Sequence, residues 1–358
     1  MSQIKTKNTI NQLAASLIVV ISIVFGLWVL KDFLVPVLFA IILSMLLLPI
    51  CAFLERKKVP RGLAIAITIL VTISLLILIG YLMFLQISTL DEIWPQMIEK
   101  GEKWINQLQN FLTTRFNIGE DQQLVEGKKY LTEMLQNSSS FISGTLSTTT
   151  GFLANFSLIP LYIFLMLLYR DFFLEFLYKA FAKVSDERVN FVVGKLKSVI
   201  QSYMSGLLLV ILIIGVLNTT SLLILGIPNA IFFGFFAAVL VLVPYIGVAI
   251  GSLLPIMMAL ITKDSAWYAV GVAASFAVVQ ILEGNFITPF IVGSKVSINS
   301  LAAIIALILF GNLWGIAGLV LALPMTAMIK VVFDSVEKLK PFGFLLGDAD
   351  SYVSHDED

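Results

Sequence analysis

Apolar residues run unbroken along most of this chain, and polar positions punctuate them at intervals of a membrane thickness. Residues 13–30 and 33–54 are parted only by Lys31 and Asp32, which predicts two helices in an antiparallel pair. Residues 63–85 form a third apolar run, 152–169 a fourth, 203–225 a fifth and 267–286 a sixth, so six full spans are expected. Two longer uncharged runs, 228–262 and 299–329, do not fit that scheme. Each is too long for one span and short for two, and each carries Pro and Gly in its interior: Pro244, Gly247 and Gly251 in the first, Gly311, Gly315, Gly318 and Pro324 in the second. Irregular backbone at membrane depth is tolerated only where protein or a wet cavity satisfies its polar groups, so two broken or re-entrant helical hairpins are expected.

Span followed by hairpin thus occurs twice, with opposite orientation, which is the pattern of an inverted-topology repeat. PYIGVAIGSLLP at 244–255 stands beside LWGIAGLVLALP at 313–324 in support of it. The alternative is a series of plain spans whose likeness is shared composition.

Two polar stretches keep a helical period. In 86–150, five basic residues face eight acidic ones, and Ile93, Trp94, Met97, Trp104 and Leu108 recur at helical spacing, as expected of an extramembrane amphipathic insert. In 170–197 six basic residues stand against four acidic, and Phe172, Phe173, Phe176 and Phe191 carry the apolar face. An amphipathic pair lying along the cytoplasmic side of the membrane is the economical reading. The basic cluster at Arg56, Lys57, Lys58 and Arg61 also belongs inside, which puts both termini in the cytoplasm.

Composition agrees: 59% of the 358 residues are hydrophobic, 13% are charged, and the mean hydropathy is +0.98. The fold class is therefore an all-α polytopic membrane protein. The organisation expected is scaffold spans in 1–85, the insert in 86–150, a span in 151–170, cytoplasmic helices in 171–200, a transport core in 201–331 and a cytoplasmic tail in 332–358. Net charge is zero, which favours no nucleic-acid partner. The N-terminal run lacks an Ala-x-Ala-like exit and reads as a first span rather than a cleaved signal. The single cysteine, Cys51, allows no intrachain disulfide.

Chemistry is concentrated in few residues. Glu283 is the only acidic residue between Asp264 and Asp334. A carboxylate at bilayer depth costs about 2.5–3.5 kcal/mol on insertion scales, so it must be neutral, paired or beside water, as a proton or cation site is. Snorkelling or capping near the inner interface is the plainer alternative. Gln280 shares its helix face, and Asn285, Thr288 and Pro289 follow where Gly284 and Pro289 loosen the backbone, so these residues are expected to line a substrate or ion path. Interhelical hydrogen bonding explains Gln280 and Asn285 equally well. Asn218 stands in a polar tetrad with Thr219, Thr220 and Ser221; the hydroxyls can bond their own helix carbonyls, whereas the Asn218 amide cannot so easily. Tyr245 offers a phenol at the first hairpin tip, or an interfacial anchor.

No Walker loop or HExxH occurs, and the one histidine, His355, lies in the acidic tail. An enzyme, a metal site and a cofactor are not expected. Three functions remain: a secondary transporter of a small polar solute, a sodium-proton antiporter, and a non-transporting scaffold whose amphipathic helices bind partners.

The stretches LGIPNAIFFGFFAAVLVLVPYIG (225–247), VVQILEGNFITPFIVGSKVSIN (278–299) and GNLWGIAGLVLALPMTA (311–327) resemble, in order, the autoinducer-2 exporter family of bacterial membrane proteins. The resemblance covers nearly the whole chain. It implies export of a small signalling molecule or related metabolite in some members and sodium-proton antiport in others. It also implies homo-oligomers, of pentameric type, and an elevator-like movement of the C-terminal hairpins. The chain departs from the family where relatives have Gly-Gln opening the fifth span and His-Pro or Asn-Pro after the second polar stretch. It has Gly206-Leu207 and Asn299-Ser300 there.

Overall fold

The computed structural model describes residues 2–82, 85, 103, 157–242, 246–293 and 298–348. The expected insert at 86–150, apart from the isolated position 103, lies outside them, as do Pro244, Tyr245 and the chain beyond 348. Among the described residues the secondary structure is helical, apart from one isolated antiparallel bridge between Ile298 and Gly347. The helices are α1 (Ser2–Val29), α2 (Lys31–Arg56), α3 (Arg61–Leu82), α4 (Leu158–Leu168), α5 (Arg170–Ala180), α6 (Asp186–Ile224), α7 (Ala230–Leu240), α8 (Ile246–Thr262), α9 (Trp267–Leu282), α10 (Ser300–Ser335) and α11 (Lys340–Leu346).

Five helical stretches are long and apolar enough to cross a membrane: α2, α3, α6, α9 with its continuation to Val292, and α10. The protein is a helical, multi-pass membrane protein. The expected division at residue 200 falls inside α6, a single helix of 39 residues. Residues 195–203 contain no Gly or Pro to stop it, so the expected amphipathic helix and the fifth span are continuous. It ends at Gly226, whose φ of +65° and bonds from Gly226 N to Leu223 O and from Ile227 N to Leu222 O form a Schellman stop.

By compactness the chain forms two units. One comprises 1–66, 154–201 and 296–358, the other 67–153 and 202–295. Each holds one of the interrupted runs.

In the second unit α7 and α8 form a helical hairpin. A Cβ on Gly247 would stand 1.7 Å from Leu240 O and one on Gly251 2.8 Å from Ala237 Cα, so only glycine lets the two backbones meet near the tip. At the mouth, Lys263 Nζ comes within 3.0 Å of a Cβ built on Gly226. The arms, of 11 and 17 residues, measure about 16 and 25 Å, short of the roughly 30 Å hydrocarbon core. Leu222, Phe233, Met258 and Val272 form the core of this unit.

In the first unit α10 is the second hairpin. It breaks at Gly315, with φ 62° and ψ −137°, and a Cβ on Gly318 would lie 1.8 Å from Phe310 O. Gly311 faces Leu319 across the tip, Pro324 is buried in the second arm, and Trp314 Nε1 donates to Leu27 O at 3.0 Å. Both ends of this hairpin meet the segment 336–348, which is docked rather than trailing. Asn299 caps Ala302 N through Oδ1 and donates Nδ2 to Leu345 O and Gly347 O, while Gly343 packs on Asp334.

Candidate functional site

The site belongs to the second unit and is built where α9 loses its regular geometry. After Leu282 the backbone widens into two π-turns, Glu283–Ile287 and Pro289–Gly293. Pro289 has no N–H to continue an α-ladder, and such π-turns concentrate at functional positions. Thr288 N–H bonds Glu283 O in the wider i to i+5 register. That register also sets the Thr288 side chain on Glu283: its Oγ1 donates to Oε1 at 2.5 Å. Gln280, one turn earlier, donates Nε2 to Oε2 at 2.8 Å. Both carboxylate oxygens therefore accept from neutral partners, and among the described residues Glu283 has no ion pair.

Beside the carboxylate lies a cavity of about 10 Å³ lined by Ile214, Asn218, Ala237, Val241, Phe276, Val279, Gln280 and Glu283. Ala237 and Val241 bring the tip of the α7–α8 hairpin to its wall. Glu283 follows the 16 residues of α9, so it stands about 24 Å along the helix from Trp267. Asn218 is 3% exposed, and its Oδ1 has no hydrogen-bond partner among the described residues. A buried orphan acceptor costs about 1–3 kcal/mol, and this one lines the same cavity as the carboxylate. A volume near one probe sphere holds one water or a particle of that size.

The structure thus brings Glu283, Gln280, Thr288 and Asn218 together. Asn285 is turned away: it is exposed and donates Nδ2 to Ile281 O on its own helix, and Pro289 is exposed as well. Gly247 and Gly251 act one step back, by letting the hairpin close. Gly311, Gly315, Gly318 and Pro324 shape the other hairpin, in the other unit. Thr220 and Ser221 bond the carbonyls of Val216 and Asn218, as the sequence suggests, but Thr219 does not. Its Oγ1 is buried without a partner, pressed by Gly234, where a Cβ would stand 2.2 Å away. The Glu-Gly pair followed by Pro six residues later was the available signal for the π-turns. Nothing in the pattern singles out Thr219 from its neighbours or identifies the apolar walls.

The Glu283 carboxylate is thus served by two neutral donors, next to an unpaired amide oxygen and under a glycine-closed hairpin. Residues 17–338 match the family described as AI-2E family transporter. The chain belongs to that family. Its curated relatives are matched over most of their length. YueF of Bacillus subtilis (strain 168) is 28% identical over 314 residues, 85% of this chain and 84% of that protein. YhhT of Escherichia coli (strain K12) is 24% identical over 340 residues, 93% and 92% of the two chains. Both carry names that call them transport proteins only provisionally. A further relative, the AI-2 transport protein TqsA of Escherichia coli (strain K12), is 24% identical over 332 residues, 91% and 92% of the two chains. This AI-2E family member is accordingly a membrane transporter, and the Glu283 cluster is its candidate site.

Proposed function

We propose that this protein is a secondary transporter of a bacterial inner membrane, with both termini in the cytoplasm. It exports a small polar solute of the autoinducer-2 type or a related metabolite, and protonation of Glu283 couples the movement to the proton gradient. The observation that carries the reading is the paired acceptance at Glu283 under the first hairpin tip. A proton arriving on either oxygen adds a donor there and weakens that oxygen as an acceptor, so the bond it receives from Thr288 or Gln280 loosens. Protonation is thereby tied to the π-turns and to the wall the hairpin closes. A metabolite-sized solute does not fit a cavity of 10 Å³, so the α7–α8 tip withdraws in the loading step. Residues 201–331 are the transport core in this reading, residues 1–85 and 151–170 are its scaffold, and the protein works as a homo-oligomer.

Sodium-proton antiport is the second reading, favoured by the same small volume and by the oxygens of Asn218 and Glu283 that face it. Everted vesicles containing the protein and a luminal pH dye separate the two. Solute transport predicts dye recovery on adding an autoinducer-2-type metabolite and not sodium. Antiport predicts recovery on adding sodium alone, and recovery with neither defeats both.

A further inference from the structure

The short helix α5 is amphipathic in the opposite sense from a helix of a water-soluble domain. Leu174, Leu177 and Tyr178 are its half-buried side, and no residue of it is fully buried. Tyr169 just before it, with Phe172, Phe173 and Phe176 on it, falls at helical spacing on an arc about 100° wide, and that arc points away from the protein. Phe172 is 65% and Phe176 59% exposed. An aromatic stripe of this kind needs an apolar medium.

The level of that medium is set by ion pairs within the same unit. Arg170 forms a fork on Glu55, at 3.0 and 2.6 Å, in the last turn of α2. Asp171 accepts from Arg61 at 2.6 Å, and Arg61 also donates to Leu167 O. The start of α5 is thus fastened to the ends of α2, α3 and α4. Past the stripe stand Lys183, exposed, Lys179, exposed and paired with Glu175 at 2.7 Å, and Arg188 beside the exposed ring of Phe191.

We propose that α5 is a docking surface for anionic phospholipid of the bilayer leaflet on its side. The aromatic arc enters the acyl boundary, and Lys183, whose charge no ion pair among the described residues answers, engages phosphate headgroups. Pinning by Arg170 and Arg61 presents the surface ready-formed. The lipid holds the start of α6, which continues directly into the span carrying Asn218.

The test uses full-length Cys51→Ser protein with a single cysteine at 176, labelled with bimane. The protein is reconstituted into phosphatidylcholine vesicles with and without phosphatidylglycerol, either lipid being brominated in turn. Bimane at 176 is quenched by brominated lipid, and at equal fraction the brominated phosphatidylglycerol quenches more. Lys183→Gln, an exposed substitution that leaves the protein monodisperse, keeps the quenching and lowers the preference about fivefold in partition. Absence of quenching by either lipid overturns the proposal, as does cross-linking of residue 176 to a second copy or to another protein. Equal quenching by both lipids in the wild-type charge background overturns its anionic part.

Discussion

Thr288 donates its hydroxyl to Oε1 of Glu283, five residues earlier in the chain, because a π-turn lies between them. In a regular α-helix residues five apart do not face each other. The break in α9 and the pairing of its carboxylate are one feature. Thr288→Val removes a hydrogen bond to a charged group, worth about 1.5–3 kcal/mol, and is expected to reduce gradient-driven transport about tenfold or more. Thr288→Ser keeps the donor and stays near wild type. Rates in proteoliposomes for the two variants check this.

Gly315 has open space around its missing Cβ, yet its φ of +62° with ψ of −137° is accessible essentially to glycine alone. Gly247 has the reverse problem, with ordinary backbone angles and Leu240 O in the way. Gly315→Ala is expected to cost about 1–3 kcal/mol through backbone strain. Gly247→Ala costs a comparable or larger amount by parting the arms of the first hairpin. Both should lower the melting temperature in detergent, but only Gly247→Ala should also disturb the Glu283 cavity and transport by the fraction that remains folded.

Arg170 and Glu55 are 28% and 22% exposed in their side chains and meet through two bonds. Arg170→Ala is expected to destabilise the protein by about 2 kcal/mol and to loosen α5. Exchanging the pair, Glu55→Arg with Arg170→Glu, should recover part of that loss. A double-mutant cycle on thermal stability in micelles measures the coupling.

Acid acts on α5 and the start of α6. The Lys179 side chain, by hydrogen bond and then by charge, holds the Glu175 carboxyl below its usual range; for Glu187 its own backbone N–H and then the Ser185 side chain do the same. Groups with depressed values in the folded state add stability above their unfolded value, about pH 4.3, and lose it as pH falls through the folded one. Amide protection at the start of α6 should therefore decline below about pH 4.3, and Glu187→Gln should remove that decline. Hydrogen exchange, corrected for intrinsic rates, follows it.

Asn299 holds the segment 336–348 with its amide on Leu345 O and Gly347 O. Asn299→Ala should free the segment and speed tryptic cleavage at Lys338 several-fold, whereas Asn299→Asp, which keeps the cap on Ala302 but not the donor, should release it to a similar degree.

Much of this fold was legible in the chain. Runs of membrane length marked α2, α3, the apolar part of α6 and α9, whereas the described apolar parts of the expected first and fourth spans, Ala15–Val29 and Leu158–Leu168, are shorter. Glycines at 247, 251, 315 and 318 marked the hairpins because no other residue allows such approach or such a turn. Glu283 stood out as a lone carboxylate in apolar surroundings, and Gln280 shared its face. What escaped the pattern depends on register or on distant contact. The Thr288 bond needs a π-turn whose exact start neither Gly284 nor Pro289 fixes. Thr219 differs from Thr220 only in which way its helix faces α7. The docking of 336–348 on Asn299 joins residues nearly fifty apart, and a polar residue before a helix reads only as its cap.

Coupling through Glu283 is tested most directly by Glu283→Gln in proteoliposomes with an imposed pH gradient. The glutamine keeps the shape and one acceptor but cannot exchange a proton. The expected result is a folded protein that still equilibrates its substrate and no longer responds to the gradient. A variant that keeps the wild-type response to the gradient contradicts the coupling role of Glu283.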